Sequence, residues 1–175
     1  INQWGYDPGR YQGFANEAEQ SSTKFLARID WNISDKHKLA VRYNQVVGTS
    51  PQITNGSSGP NPRTPGATQR VGPNSISFEN AAYGFENSVR SITAELNSYF
   101  SPKISNQFLA TYSKIQDTRT TPGAEFPMVD IWGGGGRGNG NWNYMSFGTE
   151  LFSYNNDVIN DNFSFIDNLT YTEGR

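Results

Sequence analysis

From residue 25 to residue 33 every odd position is apolar, Phe25, Ala27, Ile29, Trp31 and Ile33, while the even positions 24 to 32 read Lys24, Leu26, Arg28, Asp30 and Asn32. A period of two puts these sets on opposite faces of a β-strand. Four further stretches, 38–47, 88–101, 106–116 and 161–171, share the pattern, and the gaps between the five alternate between a few residues and about forty. The chain is therefore expected to be all-β, with hairpins at 23–47 and 88–116, a strand and turn at 161–175, and loops at 1–22, 48–87 and 117–160. The long gaps are rich in Pro, Gly, Ser, Thr and Asn, which leaves few regular hydrogen bonds there.

Register follows from the requirement that apolar faces coincide. A three-residue turn at Asp35, Lys36 and His37 sets Trp31 opposite Val41, Ile29 opposite Tyr43, and Asp30 opposite Arg42 as a cross-strand ion pair. Leu39, Val41 and Tyr43 then continue the apolar wall, as do Ile92, Ala94, Leu96 and Phe100 in the third strand. The fifth strand breaks the rule, because Asp167 shares the phase of Phe163, Phe165, Leu169 and Tyr171. Either a bulge or a hydrogen-bonded carboxylate accounts for it.

Both a soluble β-sandwich and a membrane barrel have strands with one apolar face. Strict alternation of short turns with forty-residue loops favours the barrel, whose periplasmic turns are short and whose extracellular loops are long. Strands of ten to fourteen residues are longer than usual and sufficient for a tilted crossing. Trp31, Phe100 and Tyr171 lie near strand ends, where an interfacial aromatic girdle belongs. On this reading Ile29, Trp31, Val41 and Leu96 face lipid, and Arg28, Asp30, Arg42 and Glu95 face the lumen or a plug. The alternative is a secreted, soluble β-sandwich that binds glycans through aromatic loop residues.

Composition narrows the function classes. A net charge of -2 from 14 basic and 16 acidic residues leaves no basic stripe for nucleic acid. The absence of cysteine removes disulfides, thiolate metal sites and thiol nucleophiles. His37 is the only histidine and falls in a predicted turn, so neither a catalytic relay nor a metal centre is expected. No catalytic residue, metal or cofactor is assigned. Gly133, Gly135 and Gly138 have phosphate-loop spacing without a following helix. Glu125 with Asp130, or Glu150 with Asp157, are the carboxylates a glycosidase would use. Of the loop aromatics, Trp132, Trp142 and Tyr144 beside the glycine tract are the candidate substrate-binding residues.

The run Lys24-Phe25-Leu26-Ala27-Arg28-Ile29-Asp30-Trp31-Asn32-Ile33 through His37-Lys38-Leu39 resembles a hairpin of TonB-dependent outer-membrane receptors, in particular their Oar-like branch. Phe126-Pro127 with Val129-Asp130-Ile131, then Phe147-Gly148-Thr149-Glu150, then Asp167-Asn168-Leu169-Thr170-Tyr171, resemble later landmarks of that branch in the same order. The resemblance implies a Gram-negative outer-membrane transporter: a 22-stranded barrel around an N-terminal plug, importing a bound substrate with energy delivered by TonB, sometimes with a surface lipoprotein partner. These 175 residues would supply about five strands. The last residues, Thr172-Glu173-Gly174-Arg175, read as a turn into a further strand, so a longer protein is expected.

Overall fold

The computed structural model describes residues 3–11, 19–54, 70, 75–132 and 143–173. Its elements in chain order are β1 (Ser21–Ser34), β2 (His37–Gln52), β3 (Ile76–Ser77), a 3-10 turn (Glu79–Ala81), β4 (Tyr83–Ser101), β5 (Ile104–Thr120), β6 (Val129–Trp132), β7 (Asn143–Phe147) and β8 (Asp157–Tyr171). By internal contacts the chain divides into two units.

One unit, Ser22–Gly48, Asn87–Asp117 and Val158–Arg175, carries an antiparallel five-stranded meander in the order β1-β2-β4-β5-β8. Its strands are 14 to 19 residues long, each running several residues beyond the span that alternation marks. At a rise of about 3.3 Å per residue and a tilt near 40°, roughly ten residues cross an apolar band about 25 Å tall, so every strand is long enough.

The apolar phases coincide as expected. The rings of Phe25 and Tyr43 lie 6.2 Å apart, and Ser21 Oγ and Thr49 Oγ1 are 2.7 Å apart. Turn and ion pairing differ from expectation. Only Asp35 and Lys36 form the first turn, His37 already belongs to β2, and the expected Asp30–Arg42 ion pair is not made. Asp30 instead meets Arg28 two positions along its own strand at 2.7 Å, a fork that needs no cross-strand reach, and Arg42 reaches Glu95 of β4 at 3.5 Å.

The second unit, Ile1–Ser21, Thr49–Glu86 and Thr118–Asp157, holds β3, β6 and β7 in a small sheet of order β3-β7-β6. The long gaps expected as loops therefore contain strand pairing. β7 pairs parallel with β3 and antiparallel with β6, with a bulge between Ile131 and Trp132. Val129, Ile131 and Trp132 suit a pleated surface, and four residues are enough when a partner strand lies on hand. Tyr6 stacks on Phe126 with centroids 4.0 Å apart, and both rings contact Phe147. Apart from Ala81, the other fully buried side chains described in this core are polar.

Candidate functional site

The side chains of alternating phase that oppose the apolar wall form a polar belt with members on all five strands. On β1, Arg28 forks onto Asp30 through Nε and Nη2 at 2.7–3.0 Å. Arg42 of β2 meets Glu95 of β4, whose Oε1 also accepts from Asn97 Nδ2 at 3.0 Å and from Gln107 Nε2 of β5 at 2.9 Å. Thr93 and Thr111 share a hydroxyl contact at 3.2 Å, and Asn168 Nδ2 of β8 donates to Gln107 at 3.5 Å. Two cations and two carboxylates thus balance, and amides link Glu95 on β4 through Gln107 to Asn168 on β8.

All four sequence-derived lumen candidates, Arg28, Asp30, Arg42 and Glu95, are in this belt. Thr93 and Asn97 of β4 and Gln107 and Thr111 of β5 join them on the polar face that their phase predicts, and Asn168 of β8 is the member that sequence reasoning did not single out. Ile29, Trp31, Val41 and Leu96 lie in the opposite phase, where Ile29 and Trp31 are exposed.

Two carboxylates of β8 share the phase of the apolar wall. Asn106 Nδ2 donates to Asp167 at 2.6 Å, and the Tyr112 hydroxyl donates to Asp161 at 2.7 Å. The first settles the two explanations of Asp167: it is a hydrogen-bonded carboxylate. His37, at the start of β2, has Nδ1 2.9 Å from Ser98 Oγ and lies edge-on to Phe100.

In the second unit the landmark segments of the sequence meet. The Thr149 N–H donates to the Phe126 carbonyl at 2.9 Å, and the Phe126 N–H donates to Thr149 Oγ1 at 3.0 Å. Gly148, at φ 103°, passes so close to Pro127 and Met128 that a Cβ there would run into their backbone. Asp130 accepts from Arg70 Nε and Nη2, both at 2.8 Å, and from Ser146 Oγ at 2.7 Å. The Arg70 side chain is 1% exposed and that of Asp130 12%. Burial pushes the Asp130 carboxyl up, but the hydrogen bonds from Arg70 and Ser146 and the Arg70 charge outweigh it and hold it below the ordinary carboxylate range.

Glu150 is fully buried, accepting from the Phe152 N–H at 3.0 Å and Ser153 Oγ at 2.7 Å, with Arg119 Nη1 at 3.9 Å. The Arg119 guanidinium in turn stacks over Tyr83 and Phe85 at 5.3 and 5.0 Å. Of the carboxylates a glycosidase would need, Asp130 and Glu150 are thus spent inside the unit, while Glu125 and Asp157 are exposed.

Among the candidate binding aromatics, Trp132 is half-buried and pairs across the bulge with Asn143, next to the exposed Tyr144. Trp142 and the 133–140 glycine tract lie outside the described residues. Arg70 and Arg119 were missed, since nothing in local spacing marks an arginine as buried.

A family model of an outer membrane beta barrel domain matches residues 3–175, and the chain belongs to that family. No curated protein and no solved structure matches it. The five-stranded meander is thus part of an outer-membrane β-barrel, and the reading as a secreted sandwich is not favoured.

Proposed function

We propose that this chain is part of a TonB-dependent transporter of the Oar-like branch, which binds a substrate at the cell surface and imports it with energy from the inner membrane. The observation that carries this reading is the charge-balanced polar belt from Arg28 to Asn168, reaching all five strands on the face opposite the apolar wall. A barrel around a plug needs such a hydrated, hydrogen-bonded inner wall. Ile29, Trp31, Val41 and Leu96 then face the outer-membrane lipid, with Phe100 and Tyr171 near the periplasmic interface. The two-residue turns lie on the periplasmic side and the long connections on the extracellular side.

Trp132, Trp142 and Tyr144 make the first contact with substrate, and a surface lipoprotein is a candidate partner beside them. The chain does no chemistry of its own and holds no cofactor. Energy reaches the barrel through the plug and TonB, whose contacts lie outside these residues.

The test is in vivo photo-cross-linking of the full-length protein to TonB in cells with an energised and with a collapsed inner-membrane potential. Cross-links that depend on the potential are expected. An absence of any TonB adduct in full-length, membrane-assembled protein refutes the transporter reading while leaving the barrel intact.

A further inference from the structure

The face of the five-stranded sheet that carries the apolar wall closes differently at its two ends. Beside the short turns it closes on His37, Ser98, Asn106 and Asp167, which pair among themselves, His37 with Ser98 at 2.9 Å and Asn106 with Asp167 at 2.6 Å. Towards the long connections it closes on two cations. Asn87 contacts Asp117 and Thr93 contacts Thr111 between β4 and β5, and Arg90 and Lys114 stand three residues from each contact, so they face each other across the strand pair in the phase of Ile92 and Tyr112. Among the described residues neither has an ion-pair or hydrogen-bond partner. Asp161, across from Tyr112 on β8, is held by the Tyr112 hydroxyl at 2.7 Å.

Like charges directly opposite each other on neighbouring strands are destabilising unless an anion lies between them. The level of the pair in the sheet says which anion is at hand. Ser98 to Arg90 and Asn106 to Lys114 are each eight residues, about 26 Å along the strand and roughly 20 Å along the membrane normal at a tilt near 40°. Long cationic side chains reach several ångströms further, so the pair and the turn-side row bracket an apolar band about 25 Å tall. Tyrosines mark the same boundary. Two residues nearer the turns than Gln45 and Lys114, the Tyr43 hydroxyl donates to Gln45 at 2.9 Å and the Tyr112 hydroxyl to Asp161, with both rings in the phase of the wall, as tyrosines do at a membrane–water interface. Four residues inside the cations Ala94 faces Ala110, so the wall dips beneath the pair and leaves room there for an acyl chain.

We propose that Arg90 and Lys114 together hold the phosphate of a phosphorylated glycolipid in the outer leaflet of the membrane. The guanidinium offers a fork of donors and the ammonium a point charge, so one phosphate between them cancels their repulsion while an acyl chain follows the dip at Ala94 and Ala110. The inference rests on the lipid-facing assignment made above and on the short turns lying at the periplasm.

The test is native mass spectrometry of the full-length protein in detergent, titrated with bisphosphorylated lipid A, with the same lipid stripped of its phosphates, and with phosphatidylglycerol. Lipid A bound to the wild type is expected, with about tenfold less binding of the stripped lipid and about tenfold less lipid A on the Arg90→Gln/Lys114→Gln variant. Equal binding of lipid A by wild type and variant overturns the site. Phosphatidylglycerol bound as well as lipid A overturns the outer-leaflet glycolipid as its ligand. Where the double variant does not assemble, Lys114→Gln decides through the unfolding temperature in outer-membrane vesicles. A fall supports a bridging phosphate, whereas an unchanged or raised value, expected of a like-charge pair with nothing between, overturns it.

A spin label at Val41→Cys reports on the face itself through its accessibility to oxygen dissolved in the bilayer, and an accessible label is expected. An accessible label without any preference for phosphate refutes the lipid site alone. A shielded label refutes the lipid-facing assignment, and the site falls with it.

Discussion

Asp130→Ala isolates the contribution of one buried ion pair to the outer unit. It removes two acceptor oxygens that hold Arg70 Nε and Nη2 at 2.8 Å and Ser146 Oγ at 2.7 Å, leaving a guanidinium whose side chain is 1% exposed. Breaking a buried pair from one side costs about 3–5 kcal/mol. Arg70 keeps further partners, so the low end applies. About 3 kcal/mol is roughly a hundredfold in the population of locally open unit. The assay is hydrogen exchange of the full-length protein at neutral pH. Amides of β7 should exchange about a hundredfold faster, with those of β1 and β2 unchanged. Replacing both partners, Arg70→Met with Asp130→Leu, should recover much of the protection, because no unpaired charge remains. Unaltered β7 protection in Asp130→Ala would refute the account of this core. In the wild type, the Asp130 carboxyl titrates below its unfolded value. Its stabilisation is therefore present above about pH 4 and lost as pH falls through the folded value, so β7 protection should fade only under acid.

If the apolar wall faces lipid, as proposed, Ile29→Arg places a charge there at a cost of roughly 2–4 kcal/mol, and full-length protein should fall in abundance in outer-membrane fractions. Glu95→Ala, on the belt, should lower the barrel unfolding temperature far less, by the equivalent of about 1 kcal/mol, since water can replace its partners. A larger loss than for Ile29→Arg would reverse the assignment of faces. Gly148→Ala adds a Cβ against Pro127 and Met128 at φ 103° and should make the segment between β5 and β8 sensitive to external protease in intact cells.

The wall was legible because a strand's environment is written in its own alternation. Arg28, Asp30, Arg42 and Glu95 could be put on one face by parity alone. Which of them pair could not. That depends on turn length and on whether an arginine finds a carboxylate two positions along its own strand, as Arg28 does, before one on the next strand. The small sheet was illegible for a different reason. β3 and β6 are too short to show a period, and β7 is held by residues 60 to 70 positions away, such as Ile76 and Ser77. Similarly, Arg70 and Asp130 are joined across 60 residues. The segments 126–131 and 147–150 were marked by resemblance, but their mutual hydrogen bonds exist only in three dimensions.

The faces of that small sheet reverse the usual order. Ser77, Ser146 and Asp130 form the row turned toward Arg70, and the next row, Ile76, Met145 and Ile131, is left partly exposed. A loop unit of this size has too little apolar area to bury for stability, whereas buried polar contacts such as those of Asp130 with Arg70 and Ser146 specify one arrangement. Holding the backbone by polar contacts frees the apolar side chains from core duty. Ile131 is accordingly left at the surface, where apolar area is usable for binding. The exposure of that row thus follows from the polar core around Asp130. Loosening that core by Asp130→Ala should weaken substrate capture before it disturbs the barrel.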